Sequence, residues 1–425
     1  MDSWIRQVRI LDPLTQRDHL GDVLVRDGKI QALGGSLDLA SNTGGTEIDG
    51  RGCILAPGLV DLYSQTGEPG HESRETLGQL LAAAAKGGFT KVGILPNTMP
   101  AVDHPAQVAR LLTQAAIAQP QILPWGAITL GSQGQRLTDL MELSGAGIVG
   151  FCDGYPLGDG LMVQRLLEYT QPLSLPLALW PCDRAPDLSA NLQTGTCREG
   201  ADAIRLGLLP LPATAETIPL SALLEQVAAC LRPVHLMRIS TARSVDLIRT
   251  AKARGLPITA SVTWLHLLLS TADLASYAPS LRLAPPLGTP DDREALIQGL
   301  EDGTLDAIAV DHHAHTYEEK AVPFSVAPPG AIGLQLALPV LWHTFVATRR
   351  WSALQLWSYL SLQPAQCLGI APATLQIDAP ANLVLFDPNH PWTATPATLG
   401  CAVTNTCYGH QTIRGQATHL WVPAV

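Results

Sequence analysis

Short apolar segments and longer helical patterns alternate through the central part of the chain. Gly58–Leu62 has the length and composition of a buried strand, and a helical pattern follows it over Arg74–Lys86. The next unit repeats this order, with a strand predicted over Thr90–Leu95 and a helix over Pro105–Ala118. Alternation of this kind is typical of parallel strands joined by crossover helices.

The same alternation continues toward the carboxyl end. Strands are predicted over Gly147–Cys152, Val234–Ile239, Pro257–Val262 and Asp306–Val310, and helices over Leu161–Tyr169, Ser244–Arg254, Gly333–Thr348 and Ser352–Leu362. No G-x-G-x-x-G turn follows the first strand, which disfavours an open doubly wound sheet. We therefore predict an α/β fold in which these units close into a (β/α)8 TIM-type barrel.

Both ends of the chain have a different pattern, with short β-branched segments separated by turns. The amino-terminal strands are predicted over Ile5–Leu11, Asp22–Arg26 and Lys29–Leu33, and the carboxyl-terminal strands over Ala381–Phe386 and Thr412–Val422. Isolated hairpins bury too little apolar surface to be stable alone. We expect residues 1–55 and 373–425 to combine into a small β-sandwich domain beside a barrel formed by residues 56–372.

Charge and cysteine usage narrow the class of protein. The net charge of −10 disfavours nucleic acid and anionic membranes as partners. No apolar segment approaches the roughly 18 residues of a membrane-spanning helix, and the first residues lack the pattern of a secretion signal. The eight cysteines form no C-x-x-C pair, as expected for reduced thiols in a cytoplasmic protein.

Candidate chemistry lies where the predicted barrel strands end, because barrel enzymes place reacting groups there. The segments at these ends read Asp61-Leu62-Tyr63-Ser64-Gln65, Pro96-Asn97-Thr98, Cys152-Asp153-Gly154, Trp180-Pro181-Cys182-Asp183, Arg238-Ile239-Ser240-Thr241 and Asp311-His312-His313-Ala314-His315. Other recognisable segments are Pro57-Gly58-Leu59-Val60-Asp61, Gly87-Gly88-Phe89-Thr90, Pro285-Pro286-Leu287 and Ala327-Pro328-Pro329-Gly330. In this order, from about residue 50 to residue 390, they make the chain similar to the long-chain bacterial dihydroorotases of the amidohydrolase superfamily.

The resemblance implies zinc-assisted, reversible cyclisation of N-carbamoyl-aspartate to dihydroorotate. An H-x-H pair, two further histidines and carboxylates hold the metal in that family, and an aspartate on the last strand moves the proton. Here the H-x-H positions are Tyr63 and Gln65, and the third and fourth ligand histidines align with Pro181 and Arg238. Arginine stays protonated and is no ligand for a cation. We therefore expect no metal cofactor.

A smaller part of the family's site remains. The resemblance places Asp311 at the catalytic aspartate, Asn97 and His315 at substrate contacts, and Asp153 at the bridging carboxylate. Asp153 and Asp311 are weak candidates for metal ligands, and His313 and His315 could form a small cluster on one side of an extended segment. The bland interpretation is that Asp311, Asn97 and Asp153 brace loops through backbone hydrogen bonds. We also expect Arg238 to pair with Asp311 or Asp153, and Tyr63 and Trp180 to fill the former metal space.

Three functions follow from this mixture of retained and lost residues. The leading one is a non-catalytic, oligomeric dihydroorotase-like protein of pyrimidine biosynthesis that acts as a structural or regulatory partner. The resemblance implies the catalytic chain of aspartate transcarbamoylase as the protein it binds. The second is a working cyclic amidohydrolase with an altered zinc or single-metal site at Asp153, Asp311 and His313 or His315. The third is a sensor that binds a pyrimidine intermediate through Asn97 and His315 without converting it.

Overall fold

A computed structural model describes residues 2–35, 45–115, 119–183, 195–401 and 403–423 of the chain. The last three residues of the helix predicted over Pro105–Ala118 lie outside these ranges. Within them, seventeen strands are assigned. They are β1 (Ser3–Asp12), β2 (Arg17–Arg26), β3 (Lys29–Gly34), β4 (Thr46–Asp49), β5 (Ile54–Pro57), β6 (Leu59–Ser64), β7 (Phe89–Ile94), β8 (Gln121–Gly126), β9 (Gly150–Phe151), β10 (Ala178–Leu179), β11 (Cys197–Arg198), β12 (Pro210–Leu211), β13 (Val234–Leu236), β14 (Ile258–Thr263), β15 (Ala307–Ala309), β16 (Leu383–Thr393) and β17 (Thr412–Trp421).

Eight of these strands form the predicted barrel. Strands β6-β7-β8-β9 and β10-β13-β14-β15 are two parallel groups in this order, and a parallel bridge between Phe151 and Leu177 connects them. The ring closes between β6 and the segment after β15, where Gln65 donates its backbone N–H to His312 O over 2.8 Å and Asp311 N–H donates to Tyr63 O over 3.2 Å. The (β/α)8 prediction is confirmed.

Helices cover the outside of the barrel, and thirteen α-helical segments lie in the described residues. They are α1 (Leu77–Lys86), α2 (Pro105–Ala115), α3 (Leu140–Ser144), α4 (Gly160–Tyr169), α5 (Ala201–Leu206), α6 (Thr214–Cys230), α7 (Ala242–Ala253), α8 (Pro290–Glu301), α9 (Tyr317–Lys320), α10 (Ala337–Leu341), α11 (Ala353–Trp357), α12 (Gln363–Cys367) and α13 (Pro396–Leu399). π-helical turns over Trp342–Val346 and Ser358–Leu362 extend α10 and join α11 to α12.

The chain termini meet in one seven-stranded sheet, as the two separated groups of strands predict. Its hydrogen-bonded order is β17-β16-β5-β1-β2-β3, with β4 paired to β1. Its own apolar cluster includes Ile5, Val23, Leu383 and Trp421. Strand β5 belongs to this sheet and runs past the boundary expected at residue 55. It leads into β6 and so ties the terminal sheet to the first barrel strand.

None of the helices in the described part of the chain has both the length and the apolar character needed to span a bilayer.

Candidate functional site

The carboxyl ends of the barrel strands surround a polar cavity of about 160 Å³, which we call the barrel mouth. Its wall contains residues from loops far apart in the sequence, among them Gln65, Asn97, Trp180, Arg238 and Asp311. These residues approach one another because every strand of a parallel barrel ends on the same side. Most strand-end residues singled out from the sequence are therefore brought together.

An ion pair between Arg238 and Asp311 occupies the centre of the mouth. Arg238 Nε donates to Asp311 Oδ2 over 2.8 Å, and Nη2 donates to Oδ1 over 2.6 Å. The remaining Nη1 donates to the backbone oxygen of Gly154 over 2.9 Å. Only 3% of the Arg238 side chain and 15% of the Asp311 side chain are exposed. Of the two pairings expected for Arg238, the structure therefore has the one with Asp311.

Two aromatic rings enclose the guanidinium group of Arg238. Its central carbon lies 4.6 Å from the ring centre of Trp180 and 5.5 Å from that of Tyr63. Tyr63 is held in turn, since its hydroxyl hydrogen-bonds to Ser261 Oγ over 2.9 Å and accepts the backbone N–H of Arg238 over 3.2 Å. Aromatic faces attract desolvated cations, so the rings stabilise the charge as well as fill space.

The backbone at both partners has an unusual conformation. Arg238 and Asp311 each have φ of 54°, in the left-handed region that residues with a Cβ seldom adopt. Such strain persists where surrounding contacts enforce it, and it is frequent at functional sites. Gly154, whose carbonyl accepts from Arg238, also has positive φ, at 69°. Three strand ends therefore depart from regular geometry around one guanidinium group.

Electrostatics favour a charged Arg238 and neutral histidines below it. Burial lowers the pKa of Arg238, but the charge and hydrogen bonds of Asp311 outweigh burial and raise that pKa above its usual value. Burial lowers the pKa of His235 to about 3 and that of His266 to about 4. Neutral His235 bonds to Thr259 Oγ1 over 2.9 Å and to Ser261 Oγ over 2.8 Å, so it supports Tyr63 through Ser261.

Asp153 and Asn97 lie near the Arg238–Asp311 pair and differ in their hydrogen bonding. Asp153 is buried and accepts the backbone N–H groups of Ile128 and Thr129 over 2.8 and 2.9 Å, as well as the Thr129 hydroxyl. These bonds match the bracing role that the bland interpretation gives Asp153. Asn97 lines the mouth, and its Nδ2 is buried without a hydrogen-bond partner among the described residues.

His313 and His315 form part of the wall of the mouth, next to the segment that leads into α9. Their ring centres are 4.1 Å apart, and burial lowers the pKa of both, so neither favours the charged form. His315 Nε2 donates to Pro329 O over 2.9 Å, and its Nδ1 lies 3.6 Å from Glu319 Oε2. Glu319 also accepts two hydrogen bonds from Arg74 Nε at 2.9 and 3.0 Å. These contacts connect the loop after β15 to the loop after β6.

The positions aligned with metal ligands differ in where their side chains lie. Gln65 lines the mouth, Tyr63 is fully buried against Arg238, and Arg238 fills the centre. Pro181 does not line the mouth but a separate groove of about 940 Å³ between α4 and α6. Trp180 is the residue of that segment that faces Arg238. Neighbouring residues of an extended chain point in opposite directions, so Trp180 and Pro181 line different cavities. The alignment of Pro181 with a ligand histidine stays a prediction.

The residues of the mouth do not fit zinc. Across the described ranges, no group of three or more His, Cys, Asp or Glu side chains is arranged to hold a metal ion. The set required by the altered-metal alternative is divided, since Asp311 is paired with Arg238 and Asp153 accepts backbone N–H groups. Zinc prefers imidazole, thiolate and carboxylate ligands. Tyrosine, tryptophan and arginine occupy the space beside Asp311, and the imidazoles of the mouth have other contacts: His266 hydrogen-bonds to Thr263 and Pro285, and His315 to Pro329.

Two buried acids near the mouth were missed in the sequence analysis. Asp61 accepts from Ser64 Oγ over 2.5 Å and from Val310 N–H over 2.8 Å, and burial raises its pKa to about 7. Glu75 hydrogen-bonds to His312 Nε2 at 3.1 Å, while His312 Nδ1 accepts the N–H of Gly333 over 3.2 Å. The Asp-His-His run suggested ligands there, but His312 braces the backbone beside Asp311.

Comparisons with known proteins agree with the motifs. A family described as dihydro-orotase-like matches residues 52–165, and the amidohydrolase family matches residues 219–409. A protein of Synechocystis sp. named "Probable dihydroorotase-like protein" is 41% identical, covering 96% of this chain and 97% of its own. A dihydroorotase of Pelotomaculum thermopropionicum is 36% identical, and the match covers 98% of this chain and 96% of the relative.

Solved structures with the same fold include two hydrolases at low sequence identity. The L-hydantoinase (dihydropyrimidinase) of Arthrobacter aurescens has a TM-score of 0.84 at 20% identity, covering 98% of this chain and 93% of its own. The dihydropyrimidinase of Brevibacillus agri has a TM-score of 0.81 at 18% identity, covering 99% and 94%. At this identity the likeness is one of fold.

Proposed function

Because the chain belongs to the dihydroorotase-like amidohydrolases, a family of pyrimidine metabolism, we propose that it is a non-catalytic member acting as a structural or regulatory partner of the catalytic chain of aspartate transcarbamoylase. One observation carries the non-catalytic part. Arg238, held by Asp311, Gly154, Tyr63 and Trp180, stands at a position aligned with a ligand histidine. A guanidinium group neither ligates a cation nor accepts a proton near neutral pH.

The state of Asp311 supports the same proposal. The resemblance gives Asp311 the role of moving the proton, and a general base must lie within reach of the proton it removes. Both carboxylate oxygens of Asp311 accept hydrogen bonds from Arg238, so the ion pair competes with such a role. The transcarbamoylase chain is the partner that the resemblance implies, and oligomer formation belongs to the same proposal.

Catalysis is tested on the purified chain, with the Pelotomaculum dihydroorotase as the positive control. We expect less than one equivalent of zinc or manganese by elemental analysis and no turnover of dihydroorotate or N-carbamoyl-aspartate. Stoichiometric metal together with turnover at the rate of the control would overturn the non-catalytic proposal and favour the altered-metal enzyme.

Partnership is tested by co-expressing the chain with the transcarbamoylase catalytic chain of the same organism. We expect a complex of fixed stoichiometry by light scattering after size-exclusion chromatography, and a change in transcarbamoylase stability or activity within it. Separate elution of the two chains at micromolar concentration would contradict the partner role and leave the non-catalytic conclusion intact.

A small-molecule sensor is a second candidate, because unpaired hydrogen-bond donors line the mouth. Asn97 Nδ2 and Trp180 Nε1 are both buried and have no acceptor among the described residues. A ligand that offers carbonyl or carboxylate oxygens would satisfy them. We expect dihydroorotate, carbamoyl-aspartate or a nucleotide to raise the melting temperature of the chain if it is a sensor, and Asn97→Ala to abolish the rise. His315 is the second contact that the resemblance implies: its Nε2 bonds to Pro329 O, whereas its Nδ1 is buried without a hydrogen-bond partner among the described residues. We expect His315→Gln to reduce the rise less than Asn97→Ala does.

A further inference from the structure

We propose that the barrel mouth is a preformed guanidinium-binding cage whose occupant is the chain's own Arg238, so that a side chain provides the positive charge at this centre. This inference concerns the architecture of the mouth and does not depend on a transcarbamoylase partner. It accounts for the misfit with zinc, because the centre is built around a planar organic cation.

The cage offers hydrogen-bond acceptors to the edge of the guanidinium group and places the group over two aromatic rings. Along its edge, Asp311 accepts from Nε and Nη2, and Gly154 O accepts from Nη1. Trp180 and Tyr63 lie near the group at 4.6 and 5.5 Å from its central carbon. A guanidinium group has N–H donors in its plane and weakly hydrated faces, and this arrangement matches both properties. A divalent ion would need additional imidazole or carboxylate donors, and the rings provide none.

The negative charge of the Asp311 carboxylate requires a cation in the cage. Among the described residues, the hydrogen bonds to the Asp311 carboxylate come from Arg238 alone. A largely buried carboxylate without a cation is costly, so the empty cage would carry an uncompensated negative charge. Tyr63 adds an aromatic ring whose centre lies 5.5 Å from the guanidinium carbon, and its hydroxyl is held by the backbone N–H of residue 238, which a shortened side chain leaves in place. An external guanidinium of suitable size should therefore bind when the Arg238 side chain is shortened.

The test removes the occupant and offers a replacement. Arg238→Ala leaves space that ethylguanidinium fills, since this ion reproduces the last atoms of the arginine side chain. We expect ethylguanidinium chloride at millimolar concentration to raise the melting temperature of this variant with a saturable dose dependence. Ethylammonium chloride at the same concentration controls for ionic strength and charge, and we expect it to have a smaller effect because it lacks the planar set of donors.

Matched variants separate the cage from general effects of the ion. Arg350→Ala removes an arginine paired with Glu294 and Glu301 at the surface, and we expect no saturable response there. Arg238→Ala/Asp311→Asn removes the carboxylate as well, and we expect the response to be lost. Asparagine suits this position because it tolerates the left-handed backbone of Asp311. Zinc should give none of these variants a saturable rise.

Two results would overturn the proposal. One is an Arg238→Ala protein that responds equally to ethylguanidinium and ethylammonium, and the other is one that zinc stabilises in place of ethylguanidinium. If Arg238→Ala does not fold during expression, the yield of refolding from urea with each ion provides the same comparison. Equal refolding yields in the two salts would also reject a guanidinium cage.

Discussion

Two buried arginine–carboxylate pairs lie in this barrel, and their carboxylates are satisfied in different ways. Within the described ranges, Asp311 at the mouth accepts from Arg238 alone, through two hydrogen bonds. Glu216 in α6 accepts from the backbone N–H groups of Ser240 and Thr241 and from both of their hydroxyls. Arg198 lies 3.6 Å from Glu216, with 2% and 1% of their side chains exposed.

The two arginines also differ, because Arg238 has more hydrogen-bond and ring contacts than Arg198. Each of the three nitrogens of the Arg238 guanidinium donates a hydrogen bond, and two aromatic rings face it. Arg198 donates to Ser240 Oγ over 2.8 Å and to Pro212 O over 3.3 Å, but its Nε has no partner among the described residues. Burial alone does not reveal how much a carboxylate depends on its cation. We infer that this dependence is set by the number of other hydrogen-bond donors to the carboxylate, and substitutions of the two arginines test the inference.

The largest effect is expected for Arg238→Gln. This change leaves the Asp311 carboxylate buried without its cation, so we expect the free energy of unfolding to fall by about 3–5 kcal/mol. Urea denaturation measures the change. Arg238→Gln/Asp311→Asn should recover a substantial part of the loss, because it removes the uncompensated charge. A double variant as unstable as the sum of both single variants would mean that the pair has no coupling energy.

Asp61 extends the comparison to a buried acid that hydrogen-bonds to a hydroxyl and a backbone N–H. Its pKa is raised to about 7, so the folded state holds a proton that the unfolded state has released between pH 4 and 7. Asp61 therefore contributes stability below pH 4 that is lost as pH rises to 7. Relative to wild type, Asp61→Asn should gain stability over this window by at most about 1.4 kcal/mol per pH unit. Parallel stability–pH curves for the two proteins would contradict this prediction.

A smaller loss, about 1–3 kcal/mol, is expected for Arg198→Met. Glu216 keeps its donors from Ser240 and Thr241 after this change, and the methionine side chain preserves part of the packing. The same urea denaturation, run beside Arg238→Gln, gives the contrast directly. If Arg198→Met is the more destabilising variant, the number of donors is not what distinguishes the two pairs.

The smallest effect is expected for Glu319→Gln at the rim of the mouth. Arg74 and Glu319 are 21% and 30% exposed in their side chains, so solvent screens the pair and we expect a loss of no more than about 1 kcal/mol. The loss should shrink as sodium chloride is raised from 0.05 to 0.5 M, as measured by thermal unfolding, since salt screens exposed charges. A salt-independent loss would indicate that the contact acts through packing of α9.

The sequence predicted the barrel class, six of its eight strands and the terminal sheet, because these depend on local periodicity. It predicted no strand at β8 or β10. It failed at α6, where apolar residues occur around the whole helix and Pro219 lies inside it, so that no single apolar face stands out. It also did not show that Trp180 faces the mouth while the neighbouring Pro181 lines a separate groove. Adjacent residues of an extended segment point to opposite sides, and which side faces the mouth depends on the fold.

The sequence shows no histidine at Tyr63, Gln65, Pro181 and Arg238, the positions that the resemblance aligns with ligand histidines, and it therefore predicts that zinc's preferred donors are missing. Only the tertiary structure shows which acid pairs with Arg238. Arg238 and Asp311 are 73 residues apart in the chain, and Asp153 is an equally acidic candidate. Backbone N–H groups of the β8 loop engage Asp153, which leaves Asp311 to meet the guanidinium. Side-chain chemistry is encoded locally, whereas the pairing of charges depends on distances that only the folded ring of strands creates.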